Sequence, residues 1–417
     1  MTSQHTLDDA AKEILRTNDK GTYTIPTKGL YPYQWNWDSA FAAIGFAQFD
    51  LDRAWIELET LFSGQWDSGM VPHILFHTVD PTYFPGPDVW GGTGDIASSG
   101  ISQPPIAATM AKLVFDKNPD IGAQRFEPLF DKMLAWHRWF MQWRLDDNAV
   151  CITHPWEAGR DNAPDWDGAM AGIDPVGVGS YTRRDTSHVD SSMRPTKYDY
   201  DRYIWLVNLG RELGWNDQAW LNENPFRVAD PTMTFTLLRA QRDLAELGRA
   251  IGRDVAEIDL AIKQLEQGAE TLWNETLGSY DCRDAKSGQW SHCISNASFL
   301  CWYAGIDKQA MRGLLDDVMQ GMRYGIPSHD PRSDRFDAKR YWRGPVWGIM
   351  NMMIGIGMEE MGMQEGAALK RSTSQLISEH GFSEYFDPRD GSPAGGQSFT
   401  WTAAIWLGWA SPSAGGY

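Results

Sequence analysis

The 417-residue chain carries 37 Lys+Arg against 55 Asp+Glu, a formal charge of −18, which excludes the basic surface that nucleic acid or an anionic membrane requires. Hydrophobic residues at 42% and charged residues at 22% are ordinary for a soluble globular protein, and no apolar run reaches the roughly 18 residues of a spanning helix. The unusual number is tryptophan, 21 residues, more than packing alone calls for.

The N-terminal MTSQHTLDDAAKEILRTNDKG lacks the apolar centre of a secretory signal and reads as the start of a polar helix. Helical spacing of apolar residues then recurs over 104–117, 126–144, 203–215, 232–252, 255–275, 307–322, 345–361, 365–380 and 400–410. In 255–275, for example, Ile258, Ile262, Leu265 and Leu272 share one stripe. Between the helices run loops rich in Gly, Pro, Trp, Tyr and Asp: 24–38, 64–103, 151–202, 324–345 and 381–399. Strand alternation is scarce, so the expected class is all-α, with helix pairs in a toroid and long functional loops on its rim. The four cysteines, Cys151, Cys282, Cys293 and Cys301, have no paired spacing and read as reduced core thiols. Cytoplasm is the expected location.

Four loop stretches concentrate aromatic and polar side chains: YPYQWNWDSAF (31–41), HPWEAGRDNAPDWD (154–167), KRYWRGPVW (339–347) and GFSEYFDPRDGSPAGGQSFTWTAA (381–404). Indole faces stack on the C–H faces of sugars, and carboxyl groups around such a platform can supply acid and base. Within 154–167 the local sequence alone does not choose among Glu157, Asp161, Asp165 and Asp167. HEXXH, P-loop and G-x-S-x-G patterns are missing, and the nine histidines show no ligand spacing, so neither a catalytic metal nor a cofactor is expected. DPRDGS (387–392) reads as a turn rather than a calcium loop.

The set YPYQWNWDSAF, GMVPHILF (69–76), WEAGRDNAP (156–164), YWRGPVW (341–347) and FSEYFDPRDG…GGQSFTWTAA resembles glycoside hydrolase family 63. Within that family it is similar to the bacterial glucosylglycerate and mannosylglycerate hydrolases, from about residue 20 to about 410. The resemblance implies a single (α/α)6-barrel domain over 1–417, with insertions at about 64–103 and 167–200. It also implies inverting hydrolysis of a small α-glucoside or α-mannoside to hexose and glycerate. On this resemblance Asp161 matches the general acid and Glu384 the general base. Trp35, Trp156, Trp342 and Trp347 become stacking faces, Asp38 and Gln397 hydroxyl-binding groups, and Tyr341 a positioner of ring or water. Arg194, Tyr200, Tyr31, Tyr83 and Gln103 match glycerate contacts, although a salt bridge from Arg194 to Asp199 or Asp201 is an equally local use for it. The glycine-bearing stretches at 82–87 and 176–190 suggest a lid. No residue decides between glucose and mannose. The expected partner is a small glycoside, and a homo-oligomer is compatible with the sequence. The competing readings are an α-glucosidase for neutral glucosides, a histidine-dependent sugar epimerase, and a sugar-binding protein without turnover.

Overall fold

The computed structural model describes residues 4–91 and 94–414, and it is predominantly helical. The longest strand, Ala149–Ile152, has four residues and belongs to a small antiparallel sheet with Leu145–Asp146, Val228–Ala229 and Arg283–Asp284. Among the described residues no helix is long and apolar enough to cross a membrane. Apart from a minor cluster around Tyr324, the buried apolar side chains form one continuous core.

Six elements contact one another in sequence around that core. Asn36–Phe46 packs on Ala107–Phe115, which packs on Pro231–Ala250; next come the 3₁₀ turn Asn296–Cys301, Gly348–Glu360 and Thr400–Ile405, which returns to Asn36–Phe46. Gln4–Asn18, Leu51–Ser63, Pro119–Trp143, Ala256–Thr271 and Gln364–His380 lie against the outside of these elements. The division follows side-chain chemistry. Every residue of Asn36–Phe46 is buried, whereas Ala256–Thr271 buries only Ile258, Leu265, Gly268 and Ala269. The outer helices therefore carry an amphipathic stripe, whereas an inner helix such as Asn36–Phe46 is covered on every side.

Each of the nine expected helices is present, with ends shifted by a few residues. The polar N-terminal start is the helix Gln4–Asn18, and 126–144 begins earlier, at Pro119, where the Asn118 side chain accepts the Ile121 N–H. The sequence reading assigned no helix to Asn36–Phe46 or Leu51–Ser63, and it treated 24–38 as loop. Asn36–Phe46 is buried on every side, Asn36, Asp38 and Ser39 included, so it shows no solvent face from which a period can be read.

Small residues set how closely the layers approach. A Cβ at Gly45 would lie 2.7 Å from the Cα of Ala404, and one at Gly268 only 1.9 Å from the carbonyl oxygen of Asn148. Backbone cannot give way as a flexible side chain does. Gly268→Ala should destabilise the fold by about 1–3 kcal/mol or more through overpacking, read as a lower urea midpoint. An unchanged midpoint would mean that this helix does not rest on the Asn148 turn.

Candidate active site

The stretch 154–167 folds as two 3₁₀ turns, Pro155–Ala158 and Pro164–Trp166, joined by a bend. His154 starts the first. Its Nδ1 accepts the Trp156 N–H at 3.0 Å while its Nε2 donates to the Tyr203 carbonyl at 3.0 Å, which fixes one neutral tautomer. Burial pushes this imidazole down to about 4, consistent with that state.

The four carboxylates of the stretch now separate. Glu157 is buried and takes Arg144 at 3.0 Å together with the Thr153 N–H and hydroxyl. Asp165 accepts from Arg160 at 3.3 Å and Ser295 at 2.9 Å, and Asp167 accepts from Arg343 at 3.0 Å. Only Asp161 has no side-chain partner among the described residues, and it lines a cavity. Burial pushes its carboxyl up to about 7; the Arg194 charge opposes the rise, while Glu384 and Asp185 add to it. A carboxylic acid that holds its proton near neutrality is what a general acid requires. The backbone beneath it is fixed, since the Asp161 carbonyl accepts from the Tyr203 hydroxyl at 2.7 Å and the Trp166 indole at 3.1 Å. Gly159, at φ +66°, has room for no side chain, because a Cβ would reach within 2.6 Å of the Trp37 ring.

Glu384 lies in the same cavity wall, 1% exposed. Every contact of its carboxylate is with a donor: Arg194 at 2.9 Å and the Gly396 N–H at 2.8 Å on Oε2, and the Tyr31 and Tyr341 hydroxyls at 3.2 Å each on Oε1. Its backbone N–H donates to the Gly396 carbonyl at 2.8 Å, and the Trp401 indole donates to the Glu384 carbonyl at 3.1 Å. Arg194 is held in turn by the Tyr31 hydroxyl at 3.1 Å and lies over the Tyr341 ring at 4.5 Å. It does not bridge to its chain neighbours: Asp199 caps the helix Lys197–Glu212 through Thr196, and Asp201 pairs with Lys197.

Most of the expected contacts converge. Tyr31, Trp35, Asp38, Tyr83, Gln103 and Trp156 line the cavity with Asp161, and so do Arg194, Tyr200, Tyr341 and Glu384. Asp38 sits in the first turn of Asn36–Phe46; burial raises its carboxyl well above the usual range, and the Glu384 charge adds to this. The Gln103 carbonyl oxygen accepts the Trp37 N–H at 3.2 Å, satisfying a first-turn amide of that helix. The two insertions supply adjoining parts of the wall, Tyr83 and Phe84 from one, Arg184 and Asp185 from the other, and they are tied by the Arg184–Asp80 ion pair at 2.8 Å.

Three expected contacts lie elsewhere. Trp342 and Trp347 are both 0% exposed and outside the wall, stacked on each other with centroids 3.8 Å apart and planes 3° from parallel. The left-handed backbone at Trp342, φ 58°, accompanies this inward placement behind Tyr341. Each indole spends a face on the other, so neither can receive a sugar. Gln397 is solvent-exposed, with its carbonyl oxygen taken by the Ser383 hydroxyl at 2.9 Å. In exchange the wall includes Trp37, Trp401, His73, Arg184 and Asp185, which the sequence reading did not select. Trp37 and Trp401 stood in the quoted aromatic stretches; His73 and Asp185 carried no local signal.

The cavity can therefore donate a proton from one carboxyl, accept one at another and hold a ring against indole. Known proteins agree with this chemistry. Residues 31–402 match the family model described as a mannosylglycerate hydrolase MGH1-like glycoside hydrolase domain. The chain is 42% identical to mannosylglycerate hydrolase MGH1 of Selaginella moellendorffii over 96% of its own length and 85% of that protein's. It is also 42% identical to the mannosylglycerate hydrolase of Thermus thermophilus, over 96% and 99% of the two chains. A crystal structure of a Thermus thermophilus family 63 mannosylglycerate hydrolase, in complex with Tris and D-glycerate, superposes with a TM-score of 0.93 at 41% identity and the same coverage. The chain belongs to the MGH1-like glycoside hydrolases of family 63.

Proposed function

We propose that the protein is an inverting α-glycosidase that hydrolyses α-mannosylglycerate to mannose and glycerate, with α-glucosylglycerate as the second substrate to test. The observation that carries this reading is the pairing of two unlike carboxyl groups in one tryptophan-lined cavity. Asp161 has no side-chain partner among the described residues and its carboxyl is raised to about 7 by burial, and Glu384 is surrounded by donors.

In the reaction Asp161 gives its proton to the glycosidic oxygen as the bond to the anomeric carbon breaks, the electron pair leaving with that oxygen. Glu384 takes a proton from the water that attacks the opposite face of the sugar. Inversion requires the two groups to stand roughly 6.5–9.5 Å apart, with room for that water. Trp35, Trp37, Trp156 and Trp401 offer ring faces, and buried Asp38 holds hydroxyls with a discrimination that unpaired buried polar groups enforce. A leaving group with a carboxylate suits a wall that carries Arg184, Arg194, Gln103 and four tyrosines. Mannose is placed before glucose because the relatives at 42% identity are mannosylglycerate hydrolases.

The closed sequence of six inner contacts, with helices outside it, supports a single (α/α)6 barrel whose rim holds the cavity. An epimerase working through a histidine pair is disfavoured: His73 is the only histidine among the described wall residues, and burial pushes it well below its ordinary value. Proton NMR of the protein with α-mannosylglycerate, α-glucosylglycerate and a neutral α-glucobioside tests the proposal. The expected result is cleavage of the first, with the β-anomer of mannose appearing before mutarotation. An α-anomer formed first would overturn inversion, and preference for the glucobioside would overturn the charged leaving group.

A further inference from the structure

Behind the turn that carries Asp161 lies a second cluster of reactive side chains that the reaction does not use. Asp165, Cys293 and His329 are all buried, and a ligand atom from each lies within 4.8 Å of the others. We propose that these three side chains bind a thiophilic divalent cation such as Zn²⁺, which pins the acid-bearing turn to the segments holding Cys293 and His329.

Unsatisfied valences point to a ligand here. His329 is 1% exposed, and neither ring nitrogen has a hydrogen-bond partner; Oδ2 of Asp165 also lacks one. A buried polar atom without a partner costs about 1–3 kcal/mol, and an imidazole and a carboxylate that each keep an unpaired atom beside a thiol favour a common occupant. The donor set of carboxylate, thiolate and imidazole is that of zinc rather than of calcium or magnesium. Zinc bond lengths put tetrahedral ligands roughly 3.3–3.7 Å apart, so small rotamer changes would close the three side chains on the ion.

Charge favours a cation as well. Arg160 bridges one oxygen of Asp165 and one of Asp230, at 3.3 and 3.1 Å, leaving two buried carboxylates against a single guanidinium. A divalent ion bound with the Cys293 thiolate brings this group to neutrality. His329 is already neutral, its imidazole pushed down to about 4 by burial, and burial also holds the Cys293 thiol protonated. Uptake therefore forms the S–metal bond and sends the thiol proton to solvent, so affinity rises with pH. Exposed His292, next to Cys293, marks the entry side. The sequence hid the cluster because its members come from three segments far apart in the chain.

Chelator-treated full-length protein titrated with Co²⁺ tests this. One equivalent should produce a thiolate-to-cobalt charge-transfer band with tetrahedral d–d bands, and Zn²⁺ should displace both. Cys293→Ser should abolish the charge-transfer band, His329→Ala should abolish stoichiometric uptake, and Asp161→Asn should leave uptake unchanged while activity falls. That last variant separates this site from the hydrolytic reading. Zn²⁺ should raise the Tm of the wild type and not that of the two cluster variants. The proposal is overturned if the wild type shows no thiolate band with Co²⁺, which would leave buried water as the occupant. Stoichiometric uptake that survives in either cluster variant overturns it too. Should Cys293→Ser fail to fold, loss of the wild-type band in His329→Ala decides the matter, because the chain holds three other free cysteines and only a thiolate bound at this cluster depends on His329.

Discussion

Asp161→Asn should lower kcat by about 10²–10⁴-fold, the range for loss of general acid catalysis, while KM for the glycoside stays within a few-fold. The amide keeps the shape of the acid but has no proton to give. The same carboxyl sets a pH dependence whose sign follows from its environment. Burial raises it to about 7, so the protonated, competent form disappears as pH rises through neutrality, and kcat/KM should fall on an alkaline limb centred there. Stability carries the same signature. A raised carboxyl favours the folded state fully only below its unfolded value, and that contribution is lost as pH climbs through the folded value. The wild type therefore carries a penalty at pH 8 with a ceiling of roughly 4 kcal/mol, which Asp161→Asn removes. The variant should be less active and, at pH 8, more stable. A kcat that survives the substitution, or an alkaline limb that persists in the variant, would exclude Asp161 as the acid.

The contrast between Asp161 and its neighbours also shows where sequence reading stops. Glu157, Asp161, Asp165 and Asp167 look alike as letters, because what distinguishes them is which cation reaches each from elsewhere. Arg144 arrives before the stretch, Arg160 lies within it and Arg343 comes from the far half of the chain. The acid is identified by having no side-chain partner, a property only the fold can express. Tryptophan followed a similar logic. Trp35 and Trp156 reach the cavity as their polar neighbours suggested, but Trp342 and Trp347, in an equally polar stretch, turn inward and stack on each other. An outer helix such as Ala256–Thr271 was legible because one side faces water and imposes a period, although the outer helix Leu51–Ser63 was passed over despite having such a side. The inner helix Asn36–Phe46 has no such side and left no period to find.

Arg194 offers the second large effect, because the structure gives it a task that the glycerate expectation did not include. It is 3% exposed and bonded through one terminal nitrogen to Glu384 and through the other to the Tyr31 hydroxyl. Arg194→Met removes the one formal positive charge bonded to the Glu384 carboxylate among the described residues, a change that costs about 3–5 kcal/mol in buried pairs. The carboxylate is then left with neutral donors alone and loses the fork that orients it toward the water, so kcat should fall by two orders of magnitude or more. The double variant Arg194→Met/Glu384→Gln should recover most of the lost stability relative to Arg194→Met, since the charge needing a partner is gone; the double-mutant cycle reports that coupling. An arginine that served only the leaving group would behave differently. Its loss would raise KM for mannosylglycerate, leave kcat for a neutral α-mannoside intact, and show no coupling to Glu384. Kinetics on both substrates with urea melts of the four proteins decide between the two patterns. If KM alone moves, the arginine belongs to the glycerate subsite and Glu384 is held by the Gly396 amide and its tyrosines.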